Sequence, residues 1–178
     1  MKVVLVSLIA ASVAIAAPAQ AAQGTKPAPT ATSAPPAKPA ATTTKPATGA
    51  GKPRTIELTG TEKMQFDKTE IAAKPGETIR IVLKSVGTMP KAIMAHNFVL
   101  LKEGADAVEF NKSAANARET GFIPADKKGD VIAATDLAGG GETVEVTFKA
   151  PAKAGSYNFI CSFPGHFAMG MRGKLIVK

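Results

Sequence analysis

A chain of 178 residues holds one ordinary domain plus appendages. Its net charge of +8 is misleading: five of the 22 Lys and Arg (Lys2, Lys26, Lys38, Lys45 and Lys52) precede Arg54, leaving 17 against 14 Asp and Glu from there on. That near balance, with no basic stripe interleaved with aromatics, excludes a nucleic-acid surface.

The N-terminus opens with Lys2 and an uncharged, mostly apolar run from Val3 to Ala17. Ala19-Gln20-Ala21 follows as a small-x-small cleavage pattern, so residues 1–21 are expected to be a secretory signal peptide. An uncleaved membrane anchor is the alternative, although the run is short against the about 20 apolar residues of a spanning helix. No Cys stands near the cleavage site to carry a lipid. Residues 22–53 are almost entirely Ala, Pro, Thr, Gly and Lys. They cannot bury enough surface to offset ordering entropy, and their prolines favour an extended, disordered spacer. The expected protein is therefore extracytoplasmic or periplasmic, with its domain tethered through the N-terminus, to a membrane if the first segment is retained.

The domain proper is expected over 54–178, enough for a single core. Ile56 to Leu58 and Met64 to Ile71 supply early strands, and Lys74-Pro75-Gly76-Glu77 is a turn before the strand Ile79–Lys84. Asn97 to Leu101 is an apolar strand candidate. Ala105 to Arg118 places Ala105, Val108 and Ala115 near one face at helical spacing, predicting a short helix outside the strands. The charges Lys127, Lys128 and Asp130 suit a solvated loop. Thr143–Phe148 alternates with Val144, Val146 and Phe148 on one face, and Tyr157–Cys161 and Lys174–Val177 complete the set. Tyr157 is expected in the core or at a hydrogen-bonded corner. Turn signals at this rhythm predict an all-β sandwich.

Chemistry concentrates in few residues. The chain has two histidines, His96 and His166, and one cysteine, Cys161. With a single Cys in an exported domain no internal disulfide can form, so the thiol must be buried, paired between chains or bound to metal. Two of the three lie in Cys161-Ser162-Phe163-Pro164-Gly165-His166, and the loop runs on through Phe167-Ala168-Met169-Gly170-Met171 into the last strand. A thiolate, two imidazoles and a thioether are the donors that favour copper in a trigonal electron-transfer site. Pro164 and Gly165 fold the loop back so that its donors can meet, and only folding brings in His96.

At these residues the chain resembles the azurins and auracyanins, blue (type 1) copper proteins of the cupredoxin family. Met89-Pro90-Lys91-Ala92-Ile93-Met94-Ala95-His96-Asn97-Phe98-Val99-Leu100 is similar to the azurin first-histidine segment, Cys161 to His166 to the azurin C-T-F-P-G-H loop, and Met64-Gln65-Phe66 to the azurin N-terminal region. The resemblance covers residues 54–178 and implies a Greek-key β-sandwich holding one copper. It makes His96, Cys161 and His166 the strong ligands. Azurins carry the axial Met four residues after the loop histidine, where this chain has Gly170. The longer Gly-Met-basic-Gly ending resembles auracyanins and favours Met171, with Met169 as the alternative. Asn97 and Phe163 fall where backbone amides donate to the ligand sulfur, and the Asn97 side chain where it joins the two ligand segments. Ala95 replaces the glycine that offers a distant carbonyl. Met64, Met94, Phe163, Phe167 and Met169 are expected to rim His166 as an apolar docking patch.

The implied function is one-electron transfer between Cu(II) and Cu(I), with a redox protein such as a cytochrome or copper enzyme as partner. An enzyme is not expected: two histidines cannot build a multicopper oxidase, and no catalytic triad or carboxylate pair is evident. A copper carrier or chaperone is the alternative, though a four-donor site locked between strands favours retention.

Overall fold

The structure, a computed structural model, describes residues 52–178. The expected signal or anchor, 1–21, and nearly all of the expected linker, 22–53, lie outside the described residues.

Strand β1 (Arg54–Thr61) alternates, turning Ile56 and Leu58 inward. β2 (Gln65–Phe66) folds back on it, and β3 (Glu70–Ala73) crosses to a second sheet. The turn at Lys74–Glu77 closes with Glu77 N–H donating to Lys74 O at 3.1 Å, and Gly76 supplies the φ of +70°. β4 (Thr78–Val86) then runs parallel to β1 with Ile79, Ile81 and Leu83 fully buried. β5 (Ala95–His96), β6 (Val99–Leu101) and helix α1 (Ala107–Ala114) follow. The remaining strands are β7 (Val131–Ala134), β8 (Ala138–Gly139), β9 (Thr143–Lys149), β10 (Gly155–Ile160) and β11 (Arg172–Val177).

One sheet has the order β2-β1-β4-β9 and the facing sheet β3-β11-β10-β6-β7, with β5 and β8 as a separate pair. The parallel neighbours β1·β4 and β3·β11 mark where the chain crosses between layers, as a Greek-key sandwich requires. Phe159 lies at the centre of the core, its ring 5.3 Å from that of Phe98 and 5.7 Å from that of Phe66. Each such fully buried side chain contributes about 1.5–3 kcal/mol. Tyr157 belongs to the core and to a corner at once: its ring is buried and its hydroxyl donates to Lys153 O at 2.8 Å.

Two expectations need correction. The helix is shorter than Ala105–Arg118: Asp106 caps its start, its Oδ1 accepting from the amides of Val108 (2.8 Å) and Glu109 (3.1 Å), and past Ala114 the bonding tightens to three-residue steps, with Ala117 N–H donating to Ala114 O at 2.9 Å. Its inward face is Phe110 and Ala114, four apart, while Val108 is 61% exposed and Ala115 is exposed too. The aromatic ring removes far more apolar area from water than an alanine does, and so sets the rotation. Lys127, Lys128 and Asp130 lie in 3-10 turns over Ala125–Asp130 with no buried residue, so they are solvated but not irregular.

Candidate metal centre

His96 ends β5, which is pinned by antiparallel pairing of Ala95 with Gly139 and of His96 with Ala138. The segment leading into it is turned by Pro90, whose carbonyl accepts from the amides of Ile93 (2.9 Å) and Met94 (3.0 Å). Lys91 and Glu142 form an ion pair at 2.8 Å, and Glu142 also accepts from Gly139 N–H at 2.9 Å, fastening this segment to β8.

Cys161 follows the last residue of β10. Its amide donates to Met171 O at 3.0 Å, closing the loop at its base. Inside, His166 N–H donates to Phe163 O (3.2 Å), Met171 N–H to His166 O (3.0 Å) and Gly170 N–H to Phe167 O (3.0 Å). Gly165, at φ +85°, makes the reversal that Pro164-Gly165 suggested. The loop is thus a compact coil whose ends meet, and it turns Cys161, His166 and Met171 inward.

The donor atoms converge. His96 Nδ1 lies 3.2 Å from His166 Nδ1, and Cys161 Sγ lies 3.4 Å from His166 Nδ1. One donor atom from each of the three residues lies within 4.8 Å of the others. A first-row ion held at about 2.0–2.3 Å by imidazole nitrogen and thiolate sulfur sets its donors about 3.2–3.6 Å apart, so both spacings to His166 Nδ1 fit a metal. His96 and Cys161 have no exposure and His166 only 2%, which makes His166 the least enclosed of the three. Met171 is fully buried, and its methyl reaches the same wall as His96: a Cβ added to Gly60 would meet Met171 Cε and His96 Cδ2, both at 2.9 Å. Met169, the alternative, is 56% exposed, whereas Met171 has no exposure.

Burial sets the charge states. It pushes the Cys161 thiol up to about 12, against the pull of the backbone amides of Asn97 and Phe163, which favour the thiolate. Burial also lowers His96, and it lowers His166 to about 4 with help from neighbouring His96. Both imidazoles are therefore neutral at pH 7 with lone pairs free to bind a cation, and the thiolate needs a cation to form.

Asn97 joins three segments. Its Oδ1 accepts from Ser162 N–H at 2.8 Å, and its Nδ2 donates to Ser162 Oγ at 2.8 Å and to Gly121 O at 3.2 Å. Ala95 is buried within β5. The expected docking rim is only partly at the surface. Met64 and Met94 are half-buried and Met169 is exposed, but Phe163 and Phe167 are 9% and 8% exposed. Phe167 is covered by the Arg172 guanidinium, 4.8 Å from its ring centroid, because the coiled loop folds it back toward β11. The sequence reading missed Met89 and Ile93, 42% and 67% exposed on the segment before His96. Apolar residues there, at no strand or helix period, were the available signal.

A Greek-key β-sandwich with a buried group of one cysteine thiol, two imidazoles and a thioether defines a blue-copper protein of the cupredoxin kind. The chain belongs to the copper binding proteins of the plastocyanin/azurin family, whose model matches residues 55–178. It is 43% identical to auracyanin-A of Chloroflexus aurantiacus over 73% of this chain and 77% of that one. It is 39% identical to azurin-1 of Alcaligenes xylosoxydans xylosoxydans, over 68% and 95%. Among solved structures it is similar to auracyanin A, a "blue" copper protein of the same Chloroflexus, with a TM-score of 0.61 and 42% identity over 71% of this chain and all of that one. Copper is the cofactor of the family, and His96, Cys161, His166 and Met171 form a group of the type 1 kind.

Proposed function

We propose that this protein carries single electrons outside the cytoplasm, with one copper held by His96, Cys161, His166 and Met171. Bound there, copper supplies the Cu(II)/Cu(I) couple. The observation that carries the reading is the convergence of three buried donor atoms within 4.8 Å, with the fully buried Met171 beside them. The thiolate stabilises the higher charge, while neutral imidazoles and the thioether suit the lower one. The interlocked loop and the Asn97 bridge keep the donors in place through both states, which keeps reorganisation small. His166, the least enclosed donor, is the route for the electron. Its partner is a redox protein such as a cytochrome or a copper enzyme. Met89, Ile93 and Met169, exposed on the segments that carry the histidines, give that partner an apolar surface for brief contact.

Voltammetry of the copper-loaded full chain tests this. A reversible one-electron wave with copper retained through repeated cycles is expected. Loss of copper on reduction would refute the reading and favour a copper carrier.

A further inference from the structure

Among the described residues only two non-glycines have positive φ, Met64 (56°) and Phe122 (62°). For an aromatic residue this conformation is an outlier costing about 1–3 kcal/mol, and it persists only where surrounding contacts over-determine it. At Phe122 those contacts lead toward the metal centre. Its amide donates to Ala117 O at 2.8 Å, and the preceding Gly121 O accepts from Asn97 Nδ2 at 3.2 Å. Its ring, 6% exposed, meets Phe163 edge-on at 5.0 Å and 68°. Phe163 in turn lies 4.8 Å from the His166 ring, and its backbone amide favours the Cys161 thiolate.

The segment Ala117–Phe122 contributes no donor atom, and no expectation from the sequence placed it at the metal centre. Resting on the function proposed above, we infer that Phe122 is a positioning residue for the metal centre. Its ring backs Phe163, holding that residue's amide on the Cys161 sulfur and its ring against His166. The Asn97–Gly121 hydrogen bond sets the backbone from which the ring is presented. The strained φ is the cost of aiming a ring at this point from a short turn.

The test uses the copper-loaded full chain with Phe122→Tyr, Phe122→Leu and Phe122→Ala. Three readings are taken on each: the absorption and copper hyperfine spectra, the equilibrium with the hexacyanoferrate couple, and the melting temperature. Phe122→Tyr keeps the ring contact and should match the parent. Phe122→Leu and Phe122→Ala should shift the spectra. They should also move the equilibrium toward Cu(II) by about three- to tenfold, as a weakened hydrogen bond to the charged sulfur predicts. Phe122→Leu keeps the bulk, so the test stands if Phe122→Ala does not fold. Parent spectra and equilibrium in Phe122→Leu, with only the melting temperature lowered, would overturn the inference while leaving the function intact. A parent protein that gives no blue colour would overturn the functional reading and this inference with it.

Discussion

Gly60→Ala is a local way to disturb the proposed site without replacing a donor. The added Cβ would lie 2.9 Å from His96 Cδ2, 2.9 Å from Met171 Cε and 3.0 Å from His96 Cγ. Ordinary carbon contacts begin near 3.5 Å, so one of these side chains must retreat by about half an ångström. His96 is held by the pairing of β5 with β8, whereas the unbranched Met171 can move its methyl. Overpacking of this kind costs about 1–3 kcal/mol. Gly60 sits in β1 without a positive φ, so backbone strain adds nothing, and the smaller unfolded-state entropy of alanine offsets only about 0.4–1 kcal/mol. The expected net loss is about 1–2 kcal/mol in urea unfolding of the metal-free protein. In the copper-loaded protein the absorption spectrum should shift as the thioether withdraws. A stability within 0.5 kcal/mol of the parent, together with an unchanged spectrum, would refute the placement of Met171 and His96 against one wall.

Other predictions follow the same geometry. Asn97→Ala removes a buried side chain that bonds Ser162 and Gly121, leaving the buried Ser162 groups without partners. It should cost about 2–4 kcal/mol in urea unfolding and loosen copper retention against a chelator, with Asn97→Asp less severe. Met171→Leu should change the spectrum and the reduction potential, and Met169→Leu, at an exposed site, should change neither. In the metal-free protein His166 stays neutral down to about pH 4 while the unfolded chain takes that proton near 6.5, so stability should fall as pH drops between those values. The Cys161 thiol stays protonated up to about 12 in the fold but ionises near 8.5 when unfolded, so stability should also fall as pH rises from about 8.5 toward 12. Urea midpoints across pH check both, and a flat profile from pH 4 to 7 would contradict the enclosure of His166.

The two sheets were legible where side chains alternate. Ile79, Ile81 and Leu83 announce β4, and Leu175 and Val177 announce β11. β8 was not legible, because Ala138–Gly139 has no side-chain pattern and exists through backbone pairing with β5. The helix face was misjudged by weighting small residues equally with Phe110. At the site, the donors could be named because the chain has one Cys and two His and because three of the four donors share one loop. Of their supports, Asn97 and Phe163 were named through the family resemblance, and the others could not be. Gly60, Phe122 and the third bond of Asn97 act through close approach across the fold, which carries no local signature. Likewise Phe167 looks like a surface residue until the coil of the loop turns it under Arg172.

A copper–thiolate bond at Cys161 is checked by adding one equivalent of Cu(II) to the metal-free full chain. An intense blue thiolate-to-copper absorption should appear at one copper per chain and be absent in Cys161→Ser, which removes only the sulfur. No blue band in the parent, or the same band in Cys161→Ser, would contradict it.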